Sequence, residues 1–228
     1  MKKIGIVGGI GPVSTLDYYS GIISGCRAKT KDDNYPEIVI NSINMTKMLS
    51  YVSNKDWDSL ESMLLFAIQN LANAGATFAA IASNTPHIVF DRVQQKSALP
   101  LISIVEATCA RIQQKGCRSV VVLGTRFTMS NGLYSDGLMK YGISAVVPSE
   151  KEQAVIHGII FPKLEDGIVV PEDKKTMLAI ASDLLASNNA DGLVLGCTEL
   201  PLMIKNDDLD TIIFNTTQIH IDSIVGSI

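Results

Sequence analysis

The feature that most constrains this chain is an alternation: short β-branched runs take turns with longer segments that carry apolar residues at helical spacing. The runs fall at residues 4–7, 37–41, 78–82, 101–104, 119–123, 192–195 and 211–214. Between them, residues 59–74 place Met63, Leu64, Ala67 and Leu71 on one helical face. Residues 174–187 do the same with Met177, Leu178, Ile180, Leu184 and Leu185. Strands that alternate with helices in this way predict a parallel sheet covered by helices.

The alternation also repeats itself. Leu71-Ala72-Asn73-Ala74-Gly75-Ala76 overlays Leu185-Ala186-Ser187-Asn188-Asn189-Ala190 at an offset of 114, and the same offset carries 78–83 onto 192–197. The opening run 4–8 falls on 119–123 at an offset of 115, and 100–102 on 211–213 at 111. Four matches in one order predict an α/β protein of two similar halves, each a parallel sheet flanked by helices, related by pseudo-two-fold symmetry. The expected division is residues 1–100 plus about 210–228 for one half and 101–209 for the other, with the active site between them.

Composition narrows the function classes. Of 228 residues, 46 % are hydrophobic and 18 % charged, which suits a chain with its own core and argues against disorder. Lys and Arg number 19 against 23 Asp and Glu, giving a net charge of −4 with no block of like charge, so neither nucleic acid nor an anionic membrane is an expected partner. No uninterrupted apolar stretch of about 18 residues and no secretory leader pattern follow Met1, so a cytoplasmic protein is expected. The four cysteines, Cys26, Cys109, Cys117 and Cys197, form no CxxC pair and have no histidine at metal-ligand spacing; neither disulfides nor a metal are expected. Gly9-Ile10-Gly11-Pro12-Val13-Ser14 lacks the third glycine of a dinucleotide fingerprint, so NAD is discounted.

In a parallel sheet ligands bind at the carboxyl ends of strands. The internal offset therefore pairs two loops: Ser83-Asn84-Thr85-Pro86-His87 and Cys197-Thr198-Glu199-Leu200-Pro201. Ser83 and Cys197 occupy equivalent posts, which is what a reaction needing one group on each side of a carbon would use. Taken singly, each is equally a helix-capping residue.

Together with Gly8-Gly9-Ile10-Gly11-Pro12, Ser14-Thr15 and Tyr18-Tyr19, these loops resemble those of the aspartate/glutamate racemase family, and the likeness spans nearly the whole chain. Gly124-Thr125-Arg126-Phe127-Thr128-Met129 and Ile159-Ile160-Phe161 are similar to the branch acting on acidic amino acids. The resemblance implies a cofactor-independent, usually dimeric enzyme that binds a small acidic amino acid, aspartate or glutamate. It implies two thiols flanking Cα, one removing the proton while the other donates one to the opposite face. A thiol is lowered toward neutrality near cations and helix N-termini, so Cys197 suits the task.

Position 83 departs from the family pattern, since Ser stands where Cys is usual and a hydroxyl gives almost no alkoxide near pH 7 without an adjacent base. Three accounts stand: an introduced Cys-to-Ser change, a natural variant like the relatives carrying Thr there, or a relative using Cys197 alone. The corresponding alternatives are a one-cysteine decarboxylase or isomerase of a small dicarboxylate, and a non-catalytic dicarboxylate-binding protein. Catalytic candidates are thus Cys197 and Ser83, with Cys197 assigned by resemblance to the L enantiomer and residue 83 to the D. Candidate carboxylate binders are Asn84, Thr85, Thr198, Thr125 and Thr128. Gly9 and Ile10 let the backbone approach the ligand. Lys47 and Lys163 are the cationic candidates for the distal carboxylate, although a solvated surface position is the commoner fate of a lysine. His87 is read as supporting its helix, polarising the site or packing, and His157 and His220 as structural.

Overall fold

A computed structural model describes residues 2–30 and 35–228. The chain divides into two compact units, one of Met1–Ile104 with His220–Ile228 and one of Val105–Ile219. The first contains β1 (Ile4–Gly8), α1 (Pro12–Thr30), β2 (Ile38–Ser42), α2 (Met45–Ser53), α3 (Trp57–Asn73), β3 (Phe78–Ile81), α4 (Phe90–Lys96) and β4 (Leu101–Ile102). After α5 (Ile104–Gln114), the second contains β5 (Ser119–Leu123), α6 (Arg126–Ser130), α7 (Leu133–Met139), β6 (Ser144–Val146), α8 (Glu150–Ile159), α9 (Pro171–Asn188), β7 (Gly192–Leu195), α10 (Leu200–Met203) and β8 (Ile212–Asn215). The last helix, α11, runs over Thr216–Gly226.

Each unit holds one four-stranded sheet, with orders β2-β1-β3-β4 and β6-β5-β7-β8, and every pairing is parallel. The expected fold class of two similar, helix-flanked parallel sheets holds. In both sheets the two middle strands are the all-apolar runs, buried along nearly their whole length, because helices cover both faces. The outer strands are shorter or mix polar residues into the run.

The expected boundaries need correction at both ends. Residues 101–102 belong with the first unit, because Leu101 and Ile102 pair with Ala79 and Ala80 of β3. Residues 210–219 belong with the second, where Ile212, Ile213 and Phe214 extend the sheet beside β7. One strand had no counterpart in the sequence reading: β6, three residues long at an edge.

The first core joins the two ends of its unit. Ile4 and Ile6 of β1 and Ile22 of α1 pack with Ile221, Ile224 and Val225 of α11. Gly21 and Gly25 make this approach feasible, since a Cβ on either would lie under 3.0 Å from Ile221 or Val225. Helix α3 starts where Asp56 accepts a hydrogen bond from the Ser59 amide; it buries the predicted Leu64, Ala67 and Leu71 together with Leu60 and Ile68, whereas the predicted Met63 is only half-buried and lines a cavity. Its buried Glu61 holds α4 in place through Arg92, whose Nε is 2.6 Å from the carboxylate, and through Lys96. The second core surrounds β5 and β7 with Ile156, Ile160, Leu164, Met177 and Ala181, and Leu178, Ile180, Leu184 and Leu185 pack against its edge. Among the described residues no helix is long and apolar enough to cross a membrane.

Ile22 is fully buried between β1 and α11. Ile22→Ala should therefore lower unfolding stability by about 2–5 kcal/mol in urea titrations with little change in the slope; a loss typical of a surface change would mean this contact does not close the unit.

Candidate active site

In the first unit, β1 runs out into Gly8 and Gly9. Gly9 has φ +83°, and a Cβ there would come within 2.5 Å of the Ile43 carbonyl and the Ser42 hydroxyl, so only glycine fits. Its amide donates to Thr15 Oγ1 at 2.9 Å, and that hydroxyl donates to the Gly11 carbonyl at 3.1 Å. The turn is thereby pinned to the first turn of α1, with Ile10 buried. The neighbouring strand ends the same way: Ala82 donates its amide to Val7 and Ser83 to Ile81, and the chain turns into a short helical turn at Thr85–Val89.

Ser83 and Thr85 are half-buried and Asn84 is buried. His87 Nδ1 lies 2.8 Å from the Ser83 carbonyl, while its Nε2 lies 3.2 Å from the Ile104 amide. Since an amide can only donate, Nε2 accepts and the ring proton sits on Nδ1. Burial, and then the nearby His220, push His87 down to about 3, so the ring is neutral. Both its nitrogens are occupied, which prevents it from serving as the base for the Ser83 hydroxyl. Among the described residues no carboxylate takes a hydrogen bond from that hydroxyl.

Lys47 stands in the first turn of α2, its amide capped by Asn44 Oδ1 at 2.9 Å. Its ammonium lies 5.8 Å from the Tyr51 ring centroid. Together with Asn41, Asn44 and Asn70 these residues line an open cavity of about 700 Å³, and the wall of that cavity at Ser42 and Ile43 is the one Gly9 approaches.

In the second unit, β5 and β7 end in Gly124 and Gly196. A Cβ on Gly196 would lie 2.9 Å from the Leu123 carbonyl, and one on Gly124 would lie 3.0 Å from the Gly196 carbonyl, so the two strand ends meet backbone to backbone. Beyond Gly124, Thr125 caps α6: its hydroxyl is 3.4 Å from the Thr128 amide and 3.2 Å from the Thr128 hydroxyl. Beyond Gly196, the Cys197 thiol donates to Glu199 Oε2 at 2.9 Å. The Thr198 hydroxyl lies 2.9 Å from both oxygens of the same carboxylate. All three side chains are buried.

Burial, followed by the charge and hydrogen bond of Glu199, pushes the Cys197 thiol well above the ordinary cysteine range. The lowered thiol expected from the sequence is thus corrected: at neutral pH Cys197 carries its proton, and the neighbour that would remove it is a carboxylate. Glu165, just past the turn Ile160–Leu164, is raised to about 7, first by burial and then by Glu199. Sequence reasoning gave neither Glu199 nor Glu165 a role; Glu199 stood inside a quoted motif, and Glu165 had no local signal. Lys163 in that turn pairs with Asp173 at 3.5 Å and is half exposed.

A model of the Asp/Glu/hydantoin racemase family matches residues 7–224. The chain belongs to this family. It is 27 % identical over 209 residues, 89 % of this chain and 88 % of the other, to a broad specificity amino-acid racemase of Bacillus subtilis (strain 168). It superposes on an aspartate racemase homologue from Pyrococcus horikoshii OT3 with a TM-score of 0.88 and 37 % identity, covering 100 % of this chain and 99 % of that one. An aspartate racemase from Picrophilus torridus shares the fold at a TM-score of 0.76 and 21 % identity, covering 100 % and 94 %. The expectation of a racemase-class enzyme stands with the family.

A carboxyl group raised from about 4.3 in the unfolded chain to about 7 in the folded protein favours folding below the lower value, and that contribution is lost as pH climbs through the higher one. Glu165→Gln removes this loss. The melting temperature of the variant relative to the parent should therefore rise from pH 4.5 to pH 8; a constant difference would mean that Glu165 ionises as freely in the folded protein as in the unfolded one.

Proposed function

We propose that this chain interconverts the enantiomers of an acidic amino acid, aspartate and secondarily glutamate, by two-base proton transfer at Cα without pyridoxal phosphate. The observation that carries the reading is the Cys197 thiol aimed at the Glu199 carboxylate. Passing that proton to Glu199 leaves a thiolate able to take the Cα proton of the L enantiomer. The carbanion takes a proton from residue 83 on the opposite face; in the reverse direction residue 83 takes the Cα proton of the D enantiomer and the Cys197 thiol donates to the other face, its thiolate recovering the proton from Glu199. Residue 83 is assigned the D enantiomer, and as a serine with no base beside it, it makes that half of the cycle slow.

The carbanion formed beside an ionised carboxylate needs donors already in place. Asn84 and Thr85 beside Ser83, Thr198 beside Cys197, and Thr125 with Thr128 after β5 are assigned to the substrate's carboxylates, with the backbone of Gly9 and Ile10 close by. For the distal carboxylate Lys47 is preferred over Lys163, because Lys47 lines an open cavity whereas Lys163 already pairs with Asp173. A cytoplasmic homodimer completes the proposal.

In heavy water, L-aspartate should gain deuterium at Cα, detected by loss of the proton resonance. Cys197→Ala should slow this by about 10²–10⁴-fold, and Ser83→Cys should raise interconversion of both enantiomers. No incorporation from either enantiomer, even with Ser83→Cys, would dismiss racemisation. The unassisted Ser83 hydroxyl favours one second reading, a one-thiol enzyme acting on a small dicarboxylate. Release of carbon dioxide from a substituted malonate, or conversion of maleate to fumarate, that survives Ser83→Ala would establish it instead.

A further inference from the structure

Two buried histidines stand behind the Ser83 loop, and the proton-transfer scheme uses neither. Parallel pairing between β3 and β4 ends at Ala80 and Ile102. Beyond that point the backbone groups are joined through imidazole rings. The His220 ring lies 2.9 Å from the Ile102 carbonyl through Nε2 and 2.7 Å from the Tyr18 hydroxyl through Nδ1. A carbonyl only accepts, so His220 donates from Nε2 and its Nδ1 receives the Tyr18 O–H. Two residues along, the Ile104 amide donates to His87 Nε2, and His87 Nδ1–H donates to the Ser83 carbonyl.

The two rings meet edge to face at 6.1 Å between centroids, and His87 stacks on Phe90 at 5.0 Å with planes 7° apart. His220 and Tyr18 are fully buried and His87 nearly so. Each ring is fixed in one tautomer by a group that cannot reverse its role. An imidazolium at 87 would turn Nε2 into a donor facing the Ile104 amide, and the other neutral tautomer would do the same. His87 thus replaces a rung of the ladder, tying the carbonyl of residue 83 to Ile104, the first residue of α5.

We propose that His87 is a positioning residue for the catalytic post at 83, holding its peptide through a locked Nδ1–H so that the side chain there is presented to Cα. This rests on the racemase reading. It differs from a general packing role because it acts on one post only, and therefore on one enantiomer.

The test measures deuterium uptake from L- and D-aspartate in parallel, in the chain as it stands and in its Ser83→Cys form, each with His87→Phe or His87→Asn. Phenylalanine keeps the stack on Phe90 and removes both nitrogens; asparagine restores a donor near the place of Nδ1. His87→Phe should slow uptake from the D enantiomer on the order of 100-fold, as an ångström-scale misplacement does, and leave the L enantiomer within a few fold. His87→Asn should recover most of the loss. Equal slowing of both enantiomers, no slowing, or no recovery by asparagine in a protein with the parent's melting temperature would each overturn the proposal. If His87→Phe does not fold, His87→Gln takes its place, since its amide reaches the Nε2 position and should not rescue.

A second readout does not need turnover. In the Ser83→Cys form, the rate of iodoacetamide alkylation at position 83, followed by peptide mass, should shift several-fold with His87→Phe and return with His87→Asn, while alkylation at Cys197 is unchanged. Should no form exchange a Cα proton, the racemase reading falls, and the alkylation rates still decide whether His87 positions residue 83.

Discussion

The hydrogen bond from the Cys197 thiol to the Glu199 carboxylate is the interaction on which the proposed chemistry depends. Burial and then the neighbouring carboxylate both disfavour a charge on the sulfur, so the thiol keeps its proton. The result is a thiol that rests protonated beside a ready acceptor, with the Thr198 hydroxyl adding a further donor to the same carboxylate. A lone buried thiol would be inert, and an exposed thiolate would be open to oxidation. Here the thiol lies against a carboxylate two residues along the same turn, with the sulfur and Oε2 2.9 Å apart.

That turn exists because of how the sheet ends. Gly196 and Gly124 bring the last residues of β7 and β5 close enough that a side chain on either would strike a carbonyl. Gly9 does the same work after β1, where the backbone passes against Ser42 and Ile43. The strand order repeats in the two sheets, so the loops after β3 and β7 occupy matching topological positions. The two posts nevertheless differ in kind. Cys197 has a carboxylate beside it; Ser83 has an imidazole whose nitrogens are both committed to backbone.

Much of this was legible in the sequence, and the failures have physical causes. The central strands announced themselves as unbroken apolar runs because both faces are covered, and α3 did so through its stripe. The short edge strand β6 has too few residues to show a period. The unit boundaries at 101 and 210 were misjudged because β4 and β8 are assigned by the partner they hydrogen bond to, which local composition does not encode. Similarly, the chain from Tyr18 through His220 to Ile102, and from Ile104 through His87 to Ser83, joins residues up to 202 positions apart. No motif spacing contains such a link. The resting protonation of Cys197 was misjudged, because burial and Glu199 outweigh the general tendency of thiols at such turns to be acidic. Lys163 looked like a free cation until its partner Asp173 came from the first turn of α9.

The asymmetry between the posts bears on what serine does at position 83. An alkoxide needs a base at hand, and the His87 imidazole is fixed as a donor to the Ser83 carbonyl and an acceptor from Ile104. Turning that ring into a base would require breaking one of these bonds inside a buried cluster, leaving a carbonyl or an amide without its partner at a cost of about 1–3 kcal/mol. His87 is thus committed to backbone on both sides, and in the proposed cycle the acidity or basicity needed at 83 falls to the side chain itself. A thiol at 83 could supply it unaided, whereas a hydroxyl cannot. Under the two-base cycle proposed above, an oxygen at 83 would therefore fall on the half that has no means of compensating for it.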